Sequence, residues 1–187
     1  MNPSNIPNLL TIARILLVAP IVWLLLDQQF GMALTLFFIA GVSDGLDGFL
    51  AKKMHWESWL GTLLDPIADK LLLISSYVTL AWLGFLPVWL VVLVLLRDLI
   101  IVIGATAYYF RIEKVEAAPT IVSKLNTLLQ ILLVLLVIAG QIISTPVGSL
   151  IQAMVYVVAA TTVWSGIDYV FTWGRRARLH NRAARRD

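Results

Sequence analysis

The chain has 187 residues, 60% of them hydrophobic and 13% charged, with a formal net charge of +3 and a mean hydropathy of +0.89. So apolar a composition excludes an ordinary soluble domain and points to a single integral membrane domain over residues 1–187. With no cysteine present, disulfides, thiolate metal sites and a cysteine nucleophile are excluded as well.

The leading MNPSNIPN has no basic run and no small-residue cleavage site, so no removable signal peptide is expected. Apolar spans then follow, each near the ~20 residues that a bilayer requires. They predict an all-α integral membrane bundle of about six transmembrane helices. The first runs from Asn8 to Leu26, opened by Pro7 and carrying Arg14. The second runs from Met32 to Ala51 and the third from Trp59 to Leu83, with the polar break Lys53-Met54-His55-Trp56-Glu57 between them. The fourth, Leu86 to Tyr109, is interrupted by Arg97-Asp98. The fifth, Thr120 to Ile143, begins with Ser123-Lys124-Leu125-Asn126-Thr127, and the sixth runs from Val147 to Trp173. A basic tail, GRRARLHNRAARRD, occupies 174–187.

The connectors fix an orientation. Lys52, Lys53, Arg111 and Lys114 lie in alternate connectors, and the tail adds Arg175, Arg176, Arg178, Arg182, Arg185 and Arg186. The other connectors, at 27–30, 84–85 and 141–145, carry no lysine or arginine. The positive-inside rule then puts both termini, and the side to which the second and third spans open, in the cytoplasm. The tail reads as an anchor on anionic lipid headgroups, at ~1 kcal/mol per basic residue near the surface. Having few aromatics and following a span directly, it is not expected to bind nucleic acid. His55 and His180 sit in polar segments and receive no catalytic role.

Four carboxylates dominate the middle of this chain: Asp44, Asp47, Asp65 and Asp69. Ionised groups at membrane depth face a partner, a cavity or an ion, and four acids cannot pair with one another. Asp44 and Asp47 are three residues apart, Asp65 and Asp69 four apart, so each pair shares a helical face. Counted outward from the polar break, one pair lies six to nine residues back and the other eight to twelve forward. At ~1.5 Å rise per residue both pairs reach a similar depth on facing helices. Hard oxygen donors at one level suit Mg²⁺ or Mn²⁺, with room for substrate phosphates. Glycines 45, 48 and 61 would let a phosphate approach the backbone. The plainer alternatives are caps or interfacial acids taken singly, and helix packing for the glycines. An EF-hand loop is excluded by the spacing.

Further polar residues in the spans, Arg14, Lys70, Arg97, Ser123, Lys124 and Asn126, are placed to bind an acceptor or its phosphate. For Arg14, Lys70 and Arg97 the competing reading is that they neutralise the aspartates or snorkel to the interface.

Asp44-Gly-Leu-Asp47-Gly48-Phe-Leu-Ala51-Lys52, eight residues, then Gly61-Thr-Leu-Leu-Asp65-Pro-Ile-Ala-Asp69, resembles the signature of the CDP-alcohol phosphotransferases (phosphatidyltransferases). Every fixed position matches except Lys52, where the family has arginine; the charge is kept and the bidentate fork is lost. The resemblance implies two divalent metal ions, Mg²⁺ or Mn²⁺, held by Asp44, Asp47, Asp65 and Asp69. It further implies Asp69 as general base, and Asp47, Gly48, Ala51, Lys52 and Gly61 around the nucleotide of CDP-diacylglycerol. A homodimer and a bacterial inner membrane or mitochondrial-type membrane are implied too.

Secondary motifs bear on the acceptor. Pro7-Asn8-Leu-Leu-Thr11-x-x-Arg14 and Leu64-Asp65-Pro66-x-Ala68-Asp69-Lys70 resemble the branch that makes anionic glycerophospholipids. The phosphatidylglycerophosphate synthases of that branch carry Arg-Glu with a later arginine in the fourth span, and Gly-Lys-x-Lys-Thr near the fifth. Here stand Arg97-Asp98, no such later arginine, and Ser123-Lys124-Leu-Asn126-Thr127, a pattern more similar to the CDP-alcohol-type cardiolipin synthases. Phosphatidylglycerol is therefore the expected acceptor and glycerol 3-phosphate the alternative. From other classes, a membrane prenyltransferase or a cation transporter would also use intramembrane acids. Neither separated motif-bearing helix pairs nor internal repeats are visible for them.

Overall fold

The computed structural model describes residues 6–54, 59–111, 120–143 and 147–183, with side chains described for 11–43, 68–104, 120–143 and 147–172. Among these residues the chain is all-helical: α1 (Ile6–Leu26), α2 (Phe30–Met54), α3 (Trp59–Trp82), α4 (Val88–Arg111), α5 (Ile121–Gly140) and α6 (Gly148–Ala183). Each expected span holds one helix. The main departure is α6, which continues from Trp173 to Ala183 through the basic segment, whose arginines, alanines and leucine are good helix formers.

The helix ends have local causes. Gln28 takes a left-handed φ of 58° beyond the end of α1, and Gln29 N–H bonds back to the Leu24 carbonyl at 2.8 Å. Gly84, at φ 81°, closes α3 in the same way, with Phe85 N–H on the Leu80 carbonyl at 2.9 Å. A glycine there avoids the Cβ penalty that Gln28 bears. Thr120 caps α5, its hydroxyl accepting the Ser123 N–H at 3.2 Å.

The helices gather into two compact units. One comprises Met1–Pro87 with Val134–Gly148, the other Val88–Leu133 with Ser149–Asp187. In the first, α1 packs against both α2 and α3. Its buried stripe of Thr11, Arg14, Ile21 and Leu25 recurs at steps of three, seven and four residues, which keep to one helical face. Ala33, Phe37 and Ala40 form the matching stripe on α2, and the small alanines permit close helix approach. Ala68, Leu72, Ser76 and Leu80 do the same on α3. The Ser76 hydroxyl donates to the Leu72 carbonyl at 2.8 Å, so this buried polar group is satisfied within its own helix. Phe30 and Phe85, beside two connectors, meet edge to face at 5.6 Å between ring centroids.

In the second unit the buried side chains of α6, Val155, Val158, Thr162, Ser165 and Tyr169, follow a heptad spacing. Leu90, Val94 and Arg97 on α4, and Asn126, Gln130 and Leu133 on α5, are buried at the same steps. At Gly104 of α4 an added Cβ would lie 2.8 Å from Cε1 of Tyr169. Because that ring is nearly buried, Gly104→Ala is expected to destabilise the protein by about 1–3 kcal/mol. A lowered apparent melting temperature checks this, and an unchanged one refutes the close packing.

The outer faces are apolar. Trp23, Phe38, Trp164 and Phe171 are exposed, while Trp82 reaches 83% and Ile121 85% exposure. Two stretches, Ile121–Gly140 and Gly148–Thr172, are long and apolar enough to cross a membrane. Thr11–Leu26 and Phe30–Ser43 are shorter apolar helical stretches.

Candidate active site

The signature acids are carried by α2 and α3. Residues 44 and 47 fall inside α2 and residues 65 and 69 inside α3, so each pair is within about one helical turn. The side chains of Asp44, Asp47, Gly48, Ala51, Lys52, Gly61 and Asp65 lie outside the described residues, as do His55 and the tail side chains. Asp69 is described. Its Oδ1 accepts from Nη1 of Arg14 at 2.6 Å, which joins α3 to α1.

That ion pair is lopsided. Arg14 is 1% exposed and the Asp69 side chain 45%. A buried guanidinium is tolerated only with a counterion, so Asp69 supplies what Arg14 requires. The half-exposed carboxylate remains within reach of a ligand. For Arg14 the geometry is the neutralising one foreseen as the competing reading, and the pair is charge-assisted. Lys70 is half-buried on the next position of α3.

The donor chemistry suits a hard divalent cation: hard anionic oxygens, two per helix, with the one described carboxylate still reachable from outside. Such an ion, bound there, would neutralise a diphosphate and stabilise charge developing on a phosphate leaving group. Asp44, Asp47, Asp65 and Asp69 are the residues that would hold it.

A second polar constellation crosses α4, α5 and α6. Arg97, 6% exposed, donates through Nε and Nη2 to the Ser165 hydroxyl at 3.1 and 2.6 Å. Nη2 also donates to the Ser123 hydroxyl, and Nη1 to Oδ1 of Asp98 at 2.7 Å. The arginine stem packs beside Gly166, where an added Cβ would meet Arg97 Cγ at an ordinary contact distance of 3.8 Å, so the position does not require glycine. Near Ser123 on α5, Asn126 is fully buried, and its Oδ1 accepts from the Thr161 and Thr162 hydroxyls at 2.9 and 3.0 Å. Lys124 is exposed.

Of the residues expected to bind an acceptor, Arg97 and Ser123 are brought together in one network. Asn126 is turned to the threonines of α6, and Lys124 is exposed on α5. Thr161, Thr162 and Ser165 were not anticipated. Their trace in the sequence is a run of hydroxyls three and four residues apart in an otherwise apolar span, which a helical-face reading of α6 picks out.

The family model for CDP-alcohol phosphatidyltransferase matches residues 4–164. The chain is 32% identical over 193 residues to "Cardiolipin synthase (CMP-forming)" of Rattus norvegicus, covering 94% of this chain and 63% of that protein. It is 42% identical over 108 residues to the protein of the same name from Streptomyces coelicolor, covering 54% of this chain and 50% of that one. A "Probable phosphatidylglycerophosphate synthase" of Mycobacterium tuberculosis is 33% identical over 178 residues, with 89% of this chain and 80% of that protein covered. The chain thus spans less than two thirds of the length of the rat protein. A match that takes in the signature acids on α2 and α3, Arg14 on α1 and Arg97 on α4 places the chain in the CDP-alcohol phosphatidyltransferase family.

Proposed function

We propose that the chain transfers the phosphatidyl group of CDP-diacylglycerol to an alcohol, releasing CMP, and that the alcohol is phosphatidylglycerol, giving cardiolipin. The observation that carries this is the signature quartet divided between two helices, its last member, Asp69, half-exposed and tied to a buried arginine. The relatives named cardiolipin synthase favour the acceptor. The family match favours this chemistry over prenyl transfer or cation transport.

In this reading the acceptor hydroxyl attacks the phosphorus bonded to the diacylglycerol, and the bond from that phosphorus to the CMP oxygen breaks. Asp69 takes the hydroxyl proton as general base. Asp44, Asp47, Asp65 and Asp69 hold two divalent ions, Mg²⁺ or Mn²⁺, and Gly48, Ala51, Lys52 and Gly61 line the nucleotide with Asp47. Arg14 fixes the orientation of Asp69, while Lys70, Arg97, Ser123, Lys124 and Asn126 form or support the acceptor side. The helices form one membrane-embedded domain, which the exposed tryptophans and aliphatic side chains support, because so large an apolar surface is stable only in lipid. The active site and both termini face the cytoplasm, the basic tail meets anionic lipids, and the protein is a homodimer.

Mass spectrometry of the lipids formed when purified protein meets CDP-diacylglycerol tests the reading directly. Cardiolipin from phosphatidylglycerol is the expected product. Phosphatidylglycerophosphate from glycerol 3-phosphate, with no cardiolipin, would move the chain to the activity named for the mycobacterial relative.

A further inference from the structure

In the first unit, α1 and α3 each end beside an outward-standing tryptophan. Trp82 is the last residue of α3 and 83% exposed; Trp23 stands three residues before the end of α1 and is 66% exposed. A short connector, 27–29, joins α1 to Phe30 at the start of α2, and Phe30 meets Phe85 just beyond α3. The two tryptophans therefore lie at the same end of the unit. Its connectors, 27–30 and 84–85, carry no lysine or arginine, whereas α2 closes at the other end on Lys52-Lys53-Met54.

An indole so placed is satisfied in one environment only. In water its ring surface stays hydrated, and in hydrocarbon its N–H finds no acceptor. At the boundary between headgroups and acyl chains the ring meets apolar chains while the N–H reaches ester and phosphate oxygens, which is why tryptophan gathers there in membrane proteins. The adjoining turn suits the same layer: Asp27 and Gln28 are exposed, and Gln29 Nε2 donates to Oδ2 of Asp27.

This end also fixes a depth for the signature acids. Asp69 stands thirteen positions before Trp82 on α3, about 20 Å at the rise of an α-helix. Arg14, bonded to Asp69, stands nine positions before Trp23 on α1, about 14 Å. Across a hydrocarbon layer of about 30 Å, Asp69 then lies on the order of 10 Å inside the opposite, cytoplasmic boundary.

We propose that Trp23 and Trp82 form an interfacial anchor that holds the first unit in the headgroup layer of the non-cytoplasmic leaflet, and that this anchor sets the depth of the Arg14–Asp69 pair beneath the cytoplasmic surface. The inference rests on the membrane-embedded reading and adds to it a fixed point on the leaflet away from Asp69.

The test is tryptophan fluorescence of the full chain in phosphatidylcholine vesicles whose acyl chains carry bromine either near the headgroup or near the chain end. In a chain that keeps Trp82 and has phenylalanine at every other tryptophan, bromine near the headgroup should quench at least about twofold more strongly than bromine near the chain end. Where that chain does not fold, the difference in quenching between the unaltered protein and Trp82→Phe carries the same reading. A second arm reads depth. CMP release should fall as the phosphatidylcholine chains are lengthened, because an anchored Asp69 sinks further from the cytoplasmic surface. In a chain with both Trp23→Ala and Trp82→Ala that dependence should be at least about halved. Equal dependence in the two proteins would overturn the depth-setting role. Trp82 quenched best from the chain ends, or by neither lipid while other tryptophans respond, would overturn the anchor and leave the membrane-embedded reading standing. If no tryptophan of the unaltered protein is quenched, that reading fails and the inference falls with it. The quenching arm needs no turnover, so it decides the anchor even where the phosphatidyl-transfer reading fails.

Discussion

Asp69→Asn is expected to lower CMP release by about 10²–10⁴-fold, the contribution typical of a positioned general base. The amide keeps the size of the carboxylate and can still accept from Nη1 of Arg14, but it cannot take a proton from the acceptor hydroxyl. Asparagine is the right replacement for a structural reason. Arg14 is 1% exposed, so removing Asp69 outright would take a charged acceptor away from a buried guanidinium. Taking a counterion from a buried charge destabilises the fold, and lost activity would then report unfolding. With asparagine, binding of CDP-diacylglycerol should be largely retained, measured by equilibrium binding of a labelled CDP-lipid. Turnover near the wild-type level would remove Asp69 as the base.

Removal of divalent ions should have a comparably large effect. Treatment with a chelator is expected to reduce CMP release to background, and Mg²⁺ or Mn²⁺ in excess should restore it. The cause is electrostatic. Asp44 and Asp47 share a turn of α2, Asp65 and Asp69 share a turn of α3, and Arg14 pairs with Asp69. Carboxylates collected in a medium of low dielectric repel one another unless a cation intervenes. Metal binding should therefore stabilise the fold as well, by about 2.7 kcal/mol at a hundredfold excess over Kd. A melting temperature that rises with Mn²⁺ in wild-type protein and much less in Asp65→Asn would tie the ion to these acids. Full turnover in chelator would end the two-metal reading.

The acidic signature was legible along the chain because its spacing is local. The acids are three and four residues apart, and any helix of ordinary pitch puts such positions on one face. The six helices followed from apolar runs of bilayer length, and Gly84 and Thr120 mark two of their ends for reasons contained in a few residues. The prolongation of α6 was hidden because the arginines that signal an interfacial anchor are also good helix formers. Arg97 was visible as a cation in an apolar run, but not the fact that its fork is taken up by Ser123 and Ser165.

By itself, then, the sequence determined what depends on neighbours in the chain: an all-helical array, the order of its helices, and an acidic signature of the CDP-alcohol phosphatidyltransferases. Tertiary structure decided which residues meet. Arg14 reaches Asp69 across 55 positions, Arg97 reaches Ser165 across 68, and Thr162 reaches Asn126 across 36. Helical periodicity says which face a side chain occupies but not which helix lies opposite, because that choice is made by the close packing of faces lined with small residues and by the pull of buried charges toward their partners.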